Sequence, residues 1–181
     1  MNLQKEKIIE QTTNWIKSVV IDCNFCPFAA KAVLQKSIRY RIEENANLEK
    51  ALLSLQEELA FLEANKKYET GFIIFPYNFS KFEDYLDLVH LAEQVLDALD
   101  LTGIYQLASF HPEYIFDGST EEDPANYTNR SIYPMLHVLR EDSVENALRL
   151  FTHPELIPEN NINFARKKGL AYMQALRLAC F

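Results

Sequence analysis

The spacing of apolar residues predicts five helices. In each one, apolar side chains recur every three or four positions and therefore share one face. These helices are residues 3–21, 48–65, 80–100, 143–151 and 160–178. Pro27 can open a sixth, short helix that reaches Val33, because its missing N–H is not needed at a first helical position. Ser80 and Glu83 have the spacing of a capping box. Gly169 should weaken or bend the last helix.

Four segments have the pattern of β-strands. Residues 37–44 alternate apolar and charged side chains, which predicts an edge strand with one polar face. Residues 71–77 are continuously apolar, as in a central strand. Residues 104–111 and 133–140 form two more strands around a loop of about twenty residues. The order ααβαβαββαα predicts one layered α/β or α+β domain over residues 1–181, with a mixed four-stranded sheet.

Composition and charge narrow the class of protein. The chain has 181 residues, of which 48% are hydrophobic, enough for one domain with a real core. A formal net charge of -8 argues against nucleic-acid binding, which depends on clustered Lys and Arg. No apolar run approaches the roughly 18 residues of a membrane span, and no signal peptide is apparent, so we expect a cytoplasmic protein without a membrane partner. The odd count of three cysteines favours reduced thiols.

Cys26 is a candidate nucleophile. It directly precedes Pro27 at a predicted helix start, where backbone N–H groups favour the thiolate and lower the thiol pKa. The alternative is a small buried apolar side chain, which free cysteine often is. Cys23 and Cys26 also form a C-x-x-C pair, but no second pair completes a zinc site, and a redox pair would normally follow a strand.

Two histidines flank the long loop. His111 ends the third strand, so its imidazole should lie at the rim of the sheet and could act as a general acid or base. His137 shares a strand face with Met135 and Leu139, which favours a core histidine bonded to a neighbouring backbone or hydroxyl group. If the two strands pair antiparallel with His111 opposite Pro134, the histidines lie on the order of 10 Å apart, too far to share a metal, whereas a register slip of three residues would bring them together.

The loop itself should be ordered and functional. Long loops without secondary structure are uncommon unless they are functional or disordered, and the aromatic content of this one argues against disorder. Its acidic residues lack calcium-loop spacing and favour a solvated lid. Arg130 offers a planar fork for a carboxylate or phosphate, although it could equally tie the loop down through Asp117 or Glu141.

Three segments carry a resemblance to a known family. They are residues 19–29 (VVIDCNFCPFA), residues 85–116, which end in SFHPEYIF, and residues 122–141 (EDPANYTNRSIYPMLHVLRE). Over nearly its whole length the chain resembles the bacterial family called domain of unknown function 1415. The positions that match the family pattern are Cys26, His111, Asn126, Asn129, Arg130, Ser131, Pro134 and His137. The chain departs at Cys23, where the family is usually apolar. The resemblance implies that Cys26, His111, Arg130 and His137 belong to one site, and it implies no reaction.

The leading hypothesis is an enzyme that acts on a small anionic substrate. The predicted catalytic residues are Cys26, His111 and His137, and the predicted substrate-binding residues are Arg130, Asn126, Asn129, Ser131 and Tyr133. Cys26 or a water would be the nucleophile, and Arg130 would hold the anion. Alternatives are a non-catalytic module that binds an anionic metabolite or a protein, and a metal protein that uses His111 with Asp117 or Glu113. No cofactor is expected, and no oligomeric state is indicated. The enzyme hypothesis predicts that Cys26, His111 and Arg130 line one pocket.

Overall fold

A mixed four-stranded sheet lies between two layers of helices in the computed structural model, which describes residues 3–149 and 151–181. The strands are β1 (Ile38–Ile42), β2 (Thr70–Ile74), β3 (Tyr105–Phe110) and β4 (Met135–Arg140). Their order in the sheet is β1-β2-β4-β3. β1 pairs parallel with β2, and β4 pairs antiparallel with both β2 and β3. The predicted α+β fold with a mixed sheet is confirmed.

The described helices follow the predicted order. They are α1 (Leu3–Trp15), α2 (Ala29–Leu34), α3 (Leu48–Ala64), α4 (Phe82–Ala98), α5 (Glu141–Leu148), α6 (Ile157–Lys168) and α7 (Leu170–Leu178). A π-helical segment, Ile16–Ile21, continues α1, and 3-10 helices span Pro124–Thr128 and Pro154–Leu156. Gly169 separates α6 from α7 with a φ of 84°, a conformation that costs glycine little. The predicted break at this residue is confirmed.

One face of the sheet packs against α3 and α4. The completely buried side chains of this layer include Leu55, Leu62, Ile73, Phe75, Tyr85, Leu88, Leu136 and Val138. A Cβ at Gly71 would lie 2.5 Å from Oε1 of Glu58, so a larger residue here would force this buried carboxylate to move. The other carboxylate oxygen of Glu58 accepts a hydrogen bond from Nε of Arg39 at 2.8 Å, and burial raises the pKa of Glu58.

The opposite face packs against α1, the π-helical segment, α6 and α7. Its most buried side chains include Trp15, Ile16, Val19, Phe72, Met135 and Met173. α5 also lies on this side, yet none of its residues is buried. The second face therefore contains space that its core side chains do not fill.

The strand positions match the sequence predictions, and two helix starts do not. β1 is an edge strand, and β2 is central and buried along its whole length. The N-cap of α4 is Lys81 without a side-chain hydrogen bond, so the predicted capping box is wrong. α2 begins at Ala29 with Phe28 as its N-cap, so Cys26 is not a helix cap. In the described ranges no helix has both the length and the hydrophobicity to cross a membrane.

Candidate functional site

The pairing of β3 with β4 fixes the positions of both histidines. Phe110 lies opposite Met135, which places His111 at the end of the strand, as predicted. His137 lies three positions deeper, between Phe72 on β2 and Ala108 on β3. The antiparallel pairing considered as a condition from the sequence is therefore the one that the structure has.

His111 is fully buried and both of its ring nitrogens have partners. Nδ1 accepts a hydrogen bond from the backbone N–H of Glu113 at 3.0 Å, so the proton resides on Nε2, which donates to the Phe79 carbonyl at 2.8 Å. The ring also packs against Phe82 and Tyr85. Phe79 has a φ of 56°, which bulky residues rarely adopt, and the bond from His111 helps to hold this turn. Burial lowers the pKa of His111.

Arg130 ties the long loop to itself. Its Nε donates to the carbonyl of Tyr114 and its Nη2 to the carbonyl of Glu121, both at 2.9 Å. The guanidinium carbon lies 5.0 Å from the centre of the Tyr127 ring. The structural role is thus present, but its partners are backbone carbonyls and not the predicted Asp117 or Glu141.

The other predicted binding residues also bond within the protein. The side chain of Asn126 accepts from the N–H of Phe116 and donates to the carbonyl of Thr120, and Asn129 donates to the carbonyl of Ser109. The remaining two contacts join Ser131 to the carbonyl of Tyr133, and the hydroxyl of Tyr133 to the side chain of Gln11. The order predicted for this loop is confirmed, because its side chains form hydrogen bonds with backbone groups of the loop and of β3.

A cavity of about 400 Å³ lies on the face of the sheet that packs against α1 and the π-helical segment. We call it the sheet cavity. Its floor is the sheet, its walls are α1, the π-helical segment and residues 26–32, and α5 lies beside it. Most of its lining is apolar, and the lining residues include Trp15, Ile16, Phe28, Phe72, Phe110, Val144, Ala147 and Phe151. Ala108 contributes to this space because its short side chain lies beside His137.

His137 and Cys26 both line the sheet cavity, whereas His111 and Arg130 line neither this cavity nor the adjoining one described below. The expectation that Cys26, His111 and Arg130 line one pocket is therefore not met. The physical reason is that the polar groups of His111 and Arg130 already bond to the backbone, both within the loop and, for His111, at Phe79 in the turn before α4.

The imidazole of His137 stacks on Phe72, with ring centres 3.9 Å apart and planes 6° from parallel. Its Nε2 lies 2.6 Å from the hydroxyl oxygen of Thr70, which is also 2.6 Å from the carbonyl of Val138. A hydroxyl has one proton, and a carbonyl can only accept, so Thr70 donates to Val138 and accepts from Nε2–H of His137. Nδ1 therefore bears the lone pair.

Nδ1 of His137 has no partner among the described residues. The atom is not sealed in the core either, because in the described chain only Oε1 of Glu58 is both fully buried and without a hydrogen bond. His137 is 9% exposed and lines the sheet cavity, which places this acceptor at the cavity surface. Burial lowers the pKa of His137 to about 3, so the ring is neutral at physiological pH. The sequence favoured a core histidine bonded to a neighbouring backbone or hydroxyl group. That prediction holds for Nε2, which bonds to the Thr70 hydroxyl, but not for Nδ1.

Cys26 is a half-buried thiol beside the same cavity. Burial raises its pKa to about 11, although the backbone N–H groups of Phe28 and Ala29 donate to the sulfur and oppose that shift. The lowered pKa predicted for this thiol is wrong, because loss of hydration outweighs the two backbone donors.

A second cavity of about 430 Å³ lies between residues 25–28 and α6. We call it the loop cavity, because Phe116, Thr128 and Asn129 of the long loop contribute to its lining. Sequence reasoning missed both cavities. The available signal was Ala108, a small residue among bulky ones on the face of β3 that points toward His137.

A comparison with protein-family models identifies the chain. The model described as "Protein of unknown function (DUF1415)" matches residues 7–175, which is most of the chain. The chain therefore belongs to this family, and the resemblance inferred from its sequence is confirmed. Searches of curated proteins and of solved structures found no significant match.

Proposed function

We propose that this member of a family of unknown function binds a small, uncharged and mostly apolar molecule in the sheet cavity. The observation that supports the proposal is the free Nδ1 of His137, a hydrogen-bond acceptor without a partner inside an apolar cavity. Nδ1 is reached from the sheet cavity and has no bond within the described chain, so a ligand that donates to it forms a hydrogen bond that the protein itself does not supply. An apolar ligand that displaces solvent from the cavity would instead leave Nδ1 unbonded, which costs about 1–3 kcal/mol.

The chemistry of the cavity restricts the ligand. A neutral imidazole whose lone pair faces the cavity accepts a hydrogen bond from a hydroxyl or an amide N–H. Carboxylate and phosphate oxygens are acceptors and would face this lone pair without forming a bond. The volume of about 400 Å³ suits a small organic molecule, since ligand pockets are mostly of about 300–1,000 Å³.

The anionic ligand inferred from the sequence stays a prediction with less support. Arg130, the intended clamp, donates to two carbonyls of its own loop. Lys31 at the edge of the sheet cavity lies 3.4 Å from a carboxylate oxygen of Glu69, so an internal anion already neutralises it. The balance of charges thus favours an uncharged ligand.

Three para-substituted toluenes test the proposal. p-Cresol donates a hydrogen bond, 4-methylanisole lacks the donor because a methyl group replaces the hydroxyl hydrogen, and 4-methylbenzoate carries a negative charge. We expect p-cresol to bind the wild-type protein about tenfold more tightly than either analogue, the usual effect of one hydrogen bond whose loss leaves a buried group unpaired. Dissociation constants from NMR titration measure this difference. Equal affinity for p-cresol and 4-methylanisole would contradict the proposal.

The His137→Phe variant locates the effect. Phenylalanine keeps the stacking on Phe72 and leaves the Thr70 hydroxyl bonded to Val138, but it removes the acceptor. The preference for p-cresol over 4-methylanisole should disappear in this variant. His153→Phe is the matched control, because the side chain of His153 is 66% exposed and outside both cavities, and it should retain the preference.

Nucleophilic catalysis by Cys26 is a second candidate, favoured by the two backbone N–H groups that donate to its sulfur. Iodoacetamide tests it: the thiolate attacks the methylene carbon, iodide leaves, and the thiol proton passes to solvent. A pKa of about 11, against 9.0 for an ordinary thiol, lowers the thiolate fraction at pH 7.5 by about 100-fold and predicts alkylation slower than that of a free thiol. Mass spectrometry of the peptide that contains Cys26 gives the rate. A rate within tenfold of N-acetylcysteine would favour catalysis.

A further inference from the structure

The sheet cavity and the loop cavity meet at the segment that carries Cys26. The residues that line both cavities are Val20, Cys26, Pro27, Phe28 and Phe110. A residue that lines both cavities leaves no more than its own thickness between them. Among these shared residues, Cys26 has a smaller side chain than Phe28 or Phe110 and is therefore a smaller obstacle between the two cavities.

The two cavities differ in what they offer to a ligand. The sheet cavity has the free acceptor of His137. The polar side chains that line the loop cavity already bond within the protein: Thr128 donates to the Ala125 carbonyl, Asn129 to the Ser109 carbonyl, and Asn161 to the Phe25 carbonyl. The loop cavity therefore suits hydrocarbon, and the sheet cavity suits hydrocarbon with one polar end.

α5 borders both spaces. Val144 and Ala147 line the sheet cavity, and Leu148 lines the loop cavity, although none of the residues of this helix is buried. Its apolar side chains are thus available to a ligand that extends along both cavities. Such a ligand would bury apolar surface that the protein alone leaves exposed, which is the main source of affinity for a chain-like molecule.

We propose that the molecule bound by this protein is an unbranched amphiphile with a neutral hydroxyl group. The hydroxyl donates to Nδ1 of His137, and the hydrocarbon chain passes Cys26 into the loop cavity. This inference rests on the proposed function, because it takes His137 as the acceptor for the polar end.

A series of primary alcohols from 1-butanol to 1-decanol tests the length of the ligand. Each added methylene should lower the dissociation constant by about three- to fourfold while the chain still enters apolar space. We expect this gain to continue to 1-decanol in the wild-type protein. Hexanoate should bind more weakly than 1-hexanol, because its carboxylate has no donor for His137. Isothermal titration calorimetry gives the constants.

The Ile162→Trp variant assigns the far end of the chain to the loop cavity. Ile162 lines that cavity and is only half-buried, so a larger side chain can occupy the space without displacing the core. The variant should bind 1-butanol as the wild type does and should gain no affinity beyond 1-hexanol. The adjacent Asn163 is exposed and outside both cavities, so Asn163→Trp is the matched control and should show the full gain.

The outcomes separate this inference from the proposed function. If p-cresol binds through His137 but the gain with chain length ends at the same alcohol in the wild type and in Ile162→Trp, the amphiphile is excluded while the small-molecule site stands. If p-cresol shows no preference in the wild type, the site itself fails. A gain that Ile162→Trp shortens and Asn163→Trp does not shorten supports the inference.

Discussion

His111 and His137 lie three positions apart in the register of two neighbouring strands, yet their surroundings are opposite. His111 is at the rim of the sheet, and both of its nitrogens bond to the protein. His137 is inside the sheet, and one of its nitrogens faces a cavity without a partner. A position at a sheet rim therefore does not by itself make a residue available to a ligand. What matters is which polar atoms the neighbouring residues leave unpaired.

The largest expected effect is the loss of stability in His111→Ala. The change removes the partners of the Phe79 carbonyl and of the Glu113 N–H and leaves a void beside Tyr85. We expect a loss of about 3–5 kcal/mol in the free energy of unfolding, measured by urea denaturation. His153→Ala on the surface should change it by less than about 0.5 kcal/mol. A loss below about 1 kcal/mol for His111→Ala would show that this histidine is not a structural support.

The second prediction concerns pH and His137. Its pKa is lowered from 6.5 to about 3, so below pH 6.5 the unfolded chain takes up a proton that the folded chain does not bind. Its contribution to stability is therefore complete above pH 6.5 and is lost progressively as the pH falls toward 3. We expect the wild type to lose on the order of 2 kcal/mol relative to His137→Phe between pH 6.5 and pH 4.5. If the two proteins lost stability equally as the pH falls, the lowered pKa of His137 would be contradicted. His111 is present in both proteins, so its titration does not affect the difference between them.

The third prediction compares two arginines. Arg130→Ala removes two charge-assisted hydrogen bonds to loop carbonyls and should lower the free energy of unfolding by about 2 kcal/mol. Arg130→Lys should recover little of this loss, because an ammonium group does not reproduce the planar fork that reaches both carbonyls. Arg149→Ala, at a side chain that is 73% exposed, should have almost no effect. Phosphate that stabilises the wild type but not Arg130→Ala would instead favour the anion site predicted from the sequence.

The smallest expected effect is that of His137→Phe on stability at pH 7. The variant loses the hydrogen bond between Nε2 and Thr70, retains the stacking on Phe72, and adds apolar surface to an apolar cavity. We expect a change of less than about 1 kcal/mol in the free energy of unfolding. A loss above about 3 kcal/mol would place His137 in the same structural class as His111 and would remove the contrast between the two residues.

Local pattern predicted much of the fold. The alternating residues 37–44 became an edge strand, the apolar residues 71–77 became a central one, and Gly169 divided the last helix. These features follow from the period of side-chain burial and from backbone preferences, which depend on neighbours in sequence. The helix starts were less predictable: Ser80 and Glu83 match a capping box, but α4 begins at Phe82 after the turn at Phe79.

The candidate site depended on groups that are distant in sequence. The predicted residues Cys26 and His137 do line one cavity, because residues 26–32 pack over the face of β4 that carries His137. His111 donates to the carbonyl of Phe79 in the turn before α4, and Arg130 donates to the carbonyls of Tyr114 and Glu121 in the long loop. No sequence pattern reveals the approach of these carbonyls. The direction of the shift in the pKa of Cys26 also depended on burial by those distant neighbours.

The sequence by itself determined the family, the order of the elements and the order of the long loop, whereas the pairing of the strands beside that loop came from the structure. Only the tertiary structure decided which polar atoms remain free. Hydrogen-bond capacity is a property of single residues, but whether it is used depends on the groups that packing brings within about 3 Å. In this protein, the packing leaves Nδ1 of His137 without a partner among the described residues, at the edge of an apolar cavity.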